Sequence, residues 1–136
     1  MLKLKLSKQI PLETTEQITF CQMMDLISKK YGFRYFAVGN GAIHRNTAGK
    51  TNFGQIAKLK AEGQKSGFPD LVILSNGQSL FIEMKRQKGG TVSAEQKEWK
   101  EWLLSNCFDA AICKGAEEAY KVLMMWLVSR CNVKPF

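Results

Sequence analysis

The sequence predicts an α/β fold, a mixed central sheet flanked by helices, and three observations carry that prediction. A β-hairpin signal sits in mid-chain, stretches of helical periodicity lie on both sides of it, and strands and helices alternate instead of segregating by type. In a chain of 136 residues, with 45% apolar and 24% charged residues, one domain with an ordinary core is expected.

Leu2, Leu4 and Leu6 alternate with Lys3, Lys5 and Ser7, a pattern shared by an edge strand and a basic arm. Over residues 12–31, Phe20, Met24, Ile27 and Tyr31 recur at helical spacing, and Gly32 stands where a helix would stop. Residues 33–38 are aromatic and β-branched enough for a strand, closed by Gly39, Asn40 and Gly41, and a loop through His44 and Arg45 follows. Residues 55–62 read as a short helix between Gly54 and Gly63, after which Gly67, Phe68 and Pro69 break regular structure just before Asp70. Residues 71–74 and 79–85 are strand-like and flank Asn76-Gly77, the preferred centre of a tight hairpin turn. Ser93 opens a helix with Gln96 three residues on, a capping-box pattern, and Trp99, Trp102 and Leu103 form its apolar stripe. Residues 108–113 make a short strand and residues 117–130 a final helix.

Twenty Lys and Arg against twelve Asp and Glu leave a net charge of +8. That balance favours polyanions such as nucleic acid, without identifying one. Cys21, Cys107, Cys113 and Cys131 show no close pairing, and His44 is the only histidine, so free thiols are expected and a structural zinc site is not. No apolar run approaches the roughly 20 residues of a membrane span, and the start lacks a signal-peptide core; an intracellular protein without membrane contact is expected.

A two-residue turn at Asn76 and Gly77 places Asp70 directly opposite Glu83, on one face, with Cβ atoms about 5 Å apart. Like charges so placed repel unless a cation neutralises them. Along the second strand Leu80, Ile82 and Met84 take one face and Phe81, Glu83 and Lys85 the other. Carboxylate oxygens are the hard ligands that Mg²⁺ and Mn²⁺ prefer, and a neighbouring ammonium can position a water for attack on phosphorus. The plainer reading is a turn aspartate and a solvated ion pair. Against it stands the cost of burying unpaired charge beside Phe81.

The run Gly67-Phe68-Pro69-Asp70-Leu71, followed by Phe81-Ile82-Glu83-Met84-Lys85, resembles the signature of the PD-(D/E)XK nucleases. Leu59-Lys60-Ala61-Glu62-Gly63 before it, Ser93-Ala94-Glu95-Gln96 after it, and Asn40-Gly41 with Arg45 are similar to the VRR-NUC family, the virus-type replication and repair nuclease module. The likeness covers about residues 12–127. It implies a restriction-endonuclease-like core in which Asp70, Glu83 and the backbone carbonyl of Met84 bind Mg²⁺ or Mn²⁺ and Lys85 acts on the attacking water. Gln96 matches the family's helix glutamine, although a capping box explains the same residue. The family also carries an acidic residue on its first helix; Glu16 sits on the core-facing stripe, with Glu13 as the alternative. Members built from this domain alone look like structure-selective enzymes that resolve four-way DNA junctions as homodimers. The apolar run 122–128 suits either such an interface or the core. The same motifs serve a nicking or flap nuclease, and their retention argues against a non-catalytic DNA-binding module. Of the basic residues Arg45, Lys50, Lys58, Lys60, Lys65, Arg86 and Lys88, Arg45 and Arg86 are the expected DNA contacts.

Overall fold

The computed structural model describes residues 9–39 and 53–134. The elements run α1 (Glu13–Tyr31), β1 (Arg34–Ala37), α2 (Phe53–Ala61), β2 (Leu71–Ser75), β3 (Gln78–Lys85), α3 (Ala94–Ser105), β4 (Asp109–Lys114) and α4 (Ala116–Cys131). This is the predicted order, with ends shifted by one or two residues. The leucine-lysine start and the stretch carrying Asn40, Gly41, His44, Arg45 and Lys50 lie outside the described residues.

The hairpin forms as its turn dictates. Asn76 and Gly77 both take positive φ, 50° and 77°, the twist that suits a two-residue connection. Pairs from Ser75↔Gln78 to Leu71↔Ile82 follow in unbroken register. β1 joins antiparallel on the β2 side and β4 parallel on the β3 side, so the sheet order is β1-β2-β3-β4. A parallel neighbour needs a crossover, and α3 supplies it.

Alternation along β3 sends Leu80, Ile82 and Met84 to one face, where they are buried with Leu71 and Ile73 against Phe20 and Met24 of α1 and Leu123 and Leu127 of α4. Burying each such side chain contributes about 1.5–3 kcal/mol. Ile27 and Tyr31 pack at the margin of this core, as the helical stripe predicts. α3 covers the opposite face, where Phe68 meets Phe81 and Trp99 edge-on, with centroids 5.6 and 5.0 Å apart. α1 stops at Gly32, whose left-handed φ of 70° lets its amide donate to the Ser28 carbonyl.

The apolar run on α4 is mostly core. Leu123, Trp126 and Leu127 are buried, and Met125 and Val128 are exposed. The four cysteines are free thiols. Among the described residues, no helix is long and apolar enough to cross a membrane.

Candidate active site

The hairpin register carries Asp70, at the bend entering β2, up to the end of β3. There its Oδ2 accepts the Met84 amide N–H at 2.8 Å. Glu13 from the first turn of α1 completes a cluster: Glu13, Asp70 and Glu83 each offer a carboxylate oxygen, all within 4.8 Å of one another. Lys85 Nζ stands 3.6 Å from Glu83 Oε1 and 3.8 Å from Glu13 Oε2. Both Glu83 and Lys85 are buried.

Burial is the main force on these acids. It raises the Glu83 carboxyl, together with the charge of Asp70, to about 8 against the opposing pull of Lys85. Asp70 is also raised by burial, with the Met84 amide, Glu83 and Lys85 pulling the other way. Glu13 is raised by burial, partly offset by Lys85. Glu83 Oε2 is buried and has no hydrogen-bond donor among the described residues; Asp70 can meet it only by sharing a proton, which is the neutral form the raised acids favour. A divalent cation solves the same problem in the charged form. Three hard oxygen donors, one of them beside an orphaned buried oxygen, fit Mg²⁺ or Mn²⁺.

Gln96 both caps α3 and contacts Glu83. Its Oε1 accepts the Ser93 backbone N–H and its own backbone N–H donates to Ser93 Oγ, closing the capping box. With the oxygen so fixed, the amide nitrogen faces the site and donates to Glu83 Oε1 at 2.7 Å. Gly67 permits this approach. At φ +80° it packs so close to α3 that a Cβ would fall 2.5 Å from Glu95 Cβ and 2.9 Å from the Gln96 nitrogen.

Two expectations change. Glu16 is buried on the core-facing stripe, as read, but its carboxylate caps another helix: Oε2 accepts the Ala116 amide at 2.6 Å and Oε1 accepts Gln87 Nε2 at 2.8 Å. The helix acid that joins the cluster is Glu13. Arg86, expected on DNA, instead donates through Nε to the Pro11 carbonyl and through Nη2 to that of Ile10, each at 3.3 Å. It holds the approach to α1, and so the place of Glu13. The Met84 carbonyl lies beside the cluster by chain position, next to the amide that Asp70 engages.

A cavity of about 370 Å³ opens over the cluster, lined by Glu13, Asp70, Glu83 and Gln96 and by Lys60 and Lys65. Lys60, in the last turn of α2, and Lys65, a few residues after it, add positive charge to the cavity wall. Arg45 lies outside the described residues. A larger cavity, about 860 Å³, lies at the far end of the hairpin beside Asn76 and Gly77, and no acidic side chain lines it among the described residues.

Comparison with known proteins bears on the fold and the family. No curated protein matches the sequence. A solved structure of a VRR_NUC domain protein superposes with a TM-score of 0.61 at 22% identity, over 88% of this chain and 91% of that one, and so shares the fold. The family model of the VRR-NUC domain matches residues 40–117, a span that contains Asp70, Glu83, Lys85 and Gln96 and exceeds half of the chain. The carboxylate cluster thus sits in a nuclease framework, and the chain belongs to the VRR-NUC family.

Proposed function

We propose that this nuclease domain is a Mg²⁺- or Mn²⁺-dependent endodeoxyribonuclease that cuts phosphodiester bonds in branched DNA, four-way junctions in particular, as a homodimer. One observation carries the reading: three carboxylates and an ammonium converge below one cavity, and a buried carboxylate oxygen among them has no donor among the described residues. Glu13, Asp70 and Glu83 would hold the cation, with the Met84 carbonyl as the further ligand the family implies. The bound ion supplies Lewis acidity toward the phosphate and a more acidic water.

The chain's own residues do the rest. Lys85, fixed between Glu83 and Glu13, presents N–H donors that orient the attacking water and meet charge growing on the phosphate oxygens. Gln96 occupies Glu83 Oε1 and so leaves Oε2 for the ion. Lys60 and Lys65 on the cavity wall attract the phosphate backbone, and the net charge of +8 adds long-range pull. A junction has two strands to cut, which two sites held by one dimer would serve.

The test is cleavage of a labelled four-way junction and a matched linear duplex by wild type and Lys85→Ala, with Mg²⁺, Mn²⁺ or EDTA. The expected result is paired cuts near the branch point, lost in EDTA and lost in Lys85→Ala while DNA binding persists. Equal cutting of both substrates would discard the junction preference. Binding without cutting in either metal would overturn the enzyme reading, and a monomer in sedimentation equilibrium would overturn the dimer.

A further inference from the structure

A second cavity, about 300 Å³, adjoins the catalytic one. It is lined by Lys65, Ser66, Glu95, Glu98, Trp99 and Trp102, and it shares Lys65, Ser66 and Glu95 with the cavity over the carboxylates. The wall is aromatic. Trp99 and Trp102 stand 5.9 Å apart at 75°, and Trp102 lies nearly parallel to Phe108, 19° off with centroids 6.4 Å apart. A helical stripe normally buries such residues, yet Trp102 is 52% exposed. Glu95 and Glu98 make this cavity unsuited to a phosphate, whereas carboxylates accept readily from exocyclic amino groups of bases. Lys65 stands at the boundary between the two cavities, where a nucleotide's phosphate would meet it.

We propose that the Trp99–Trp102 cavity is a stacking subsite for one unpaired nucleobase of the DNA substrate, next to the phosphate held over the carboxylates. The inference rests on the DNA-cleaving reading above and adds to it a physical basis for selectivity. An indole wall binds the π-face of a base. In a paired duplex that face is hidden by its stacked neighbours, and a side cavity cannot reach it. A nucleotide splayed at a branch or in a single-stranded arm exposes it. The subsite therefore rewards interrupted duplex and leaves continuous duplex with backbone contacts alone.

The test compares wild type, Trp102→Ala and Trp102→Phe in binding a duplex with a single-stranded arm and a fully paired duplex of equal length, in EDTA so that nothing is cut. 2-Aminopurine at the first unpaired position reports stacking directly. The expected result for Trp102→Ala is a roughly 5- to 100-fold loss of affinity for the armed DNA. Affinity for the paired duplex stays within about twofold, and wild-type quenching of 2-aminopurine disappears. Trp102→Phe, which keeps a ring, recovers most of both signals. Thermal melts of all three proteins verify that the variants are folded. Equal losses on the two DNAs, or quenching that survives in Trp102→Ala, would overturn the subsite. Cleavage of a four-way junction by wild type in Mg²⁺ or Mn²⁺, run alongside, separates the two readings: its absence in both metals sinks the nuclease and leaves the stacking result standing on its own.

Discussion

Replacing Gly67 with alanine isolates the contact that sets α3 against the carboxylates. The new Cβ would meet Glu95 Cβ at 2.5 Å, the Glu95 carbonyl carbon at 2.7 Å and the Gln96 nitrogen at 2.9 Å, with φ held at +80°. Left-handed backbone costs a residue with a Cβ about 1–2 kcal/mol. Overpacking against a backbone that cannot rotate aside adds about 1–3 kcal/mol. Gly89 separates the two effects, because its φ is +77° and a Cβ there meets nothing within 4 Å. Gly89→Ala should lower the melting temperature by about 4–8 °C, at about 4 °C per kcal/mol for a chain of this size, and Gly67→Ala by about 8–20 °C. Activity should split further. Any relief of the clash moves the start of α3 and with it the Gln96 bond to Glu83, and displacement of a positioning group by about 1 Å can cost on the order of 100-fold in rate. Circular-dichroism melts and cleavage rates of the two variants provide the comparison. Melting within about 2 °C of each other, with equal cleavage, would refute the idea that this glycine is required for close approach.

The two acids of α1 should separate by readout. Glu16→Ala leaves the Ala116 amide and Gln87 without their acceptor and should cost about 1–3 kcal/mol of stability, with Glu16→Gln milder; denaturant titration decides, and an unchanged midpoint in Glu16→Ala would contradict the capping role. Glu13→Gln should instead abolish or weaken cleavage with little change in stability, and full activity would remove Glu13 from the metal cluster. The raised carboxyl of Glu83 predicts a pH signature. Because its folded value, about 8, lies above the ordinary 4.5, protonation favours the folded state. That contribution is whole below the ordinary value and is lost as pH climbs through the folded one. Without divalent ions the melting temperature should therefore fall between about pH 5 and pH 8, less so in Glu83→Gln, and Mn²⁺ should raise it most at the alkaline end. A Mn²⁺ effect independent of pH would speak against the buried acid as its ligand.

What was legible in the sequence was what short-range rules govern. Asn76-Gly77 specifies its own turn, the turn fixes the register, and the register alone brings Asp70 to Glu83. Ser93 and Gln96 likewise announce a helix start within four residues. Long-range destinations were not legible. The helical stripe correctly buries Glu16, but periodicity reports that a side chain is covered, and its partner amide lies 100 residues away. Arg86 follows the motif lysine and looked free for DNA; the carbonyls that occupy it belong to Pro11 and Ile10, at the other end of the chain. Trp99 and Trp102 read as ordinary core stripe, and only the packing of α3 over Phe68 and Phe81 shows that one of them overhangs solvent.

The doubled use of Gln96 limits how this domain can be stabilised. Glutamate satisfies a capping box as well as glutamine does, and its charge suits the positive end of a helix, so Gln96→Glu would be an obvious improvement on a surface helix. Here the same exchange sets a fourth carboxylate against Glu83 and removes the amide that holds it. The best helix start and the proposed metal site therefore call for different side chains at one position. Any stabilisation of α3 has to come from residues farther along it.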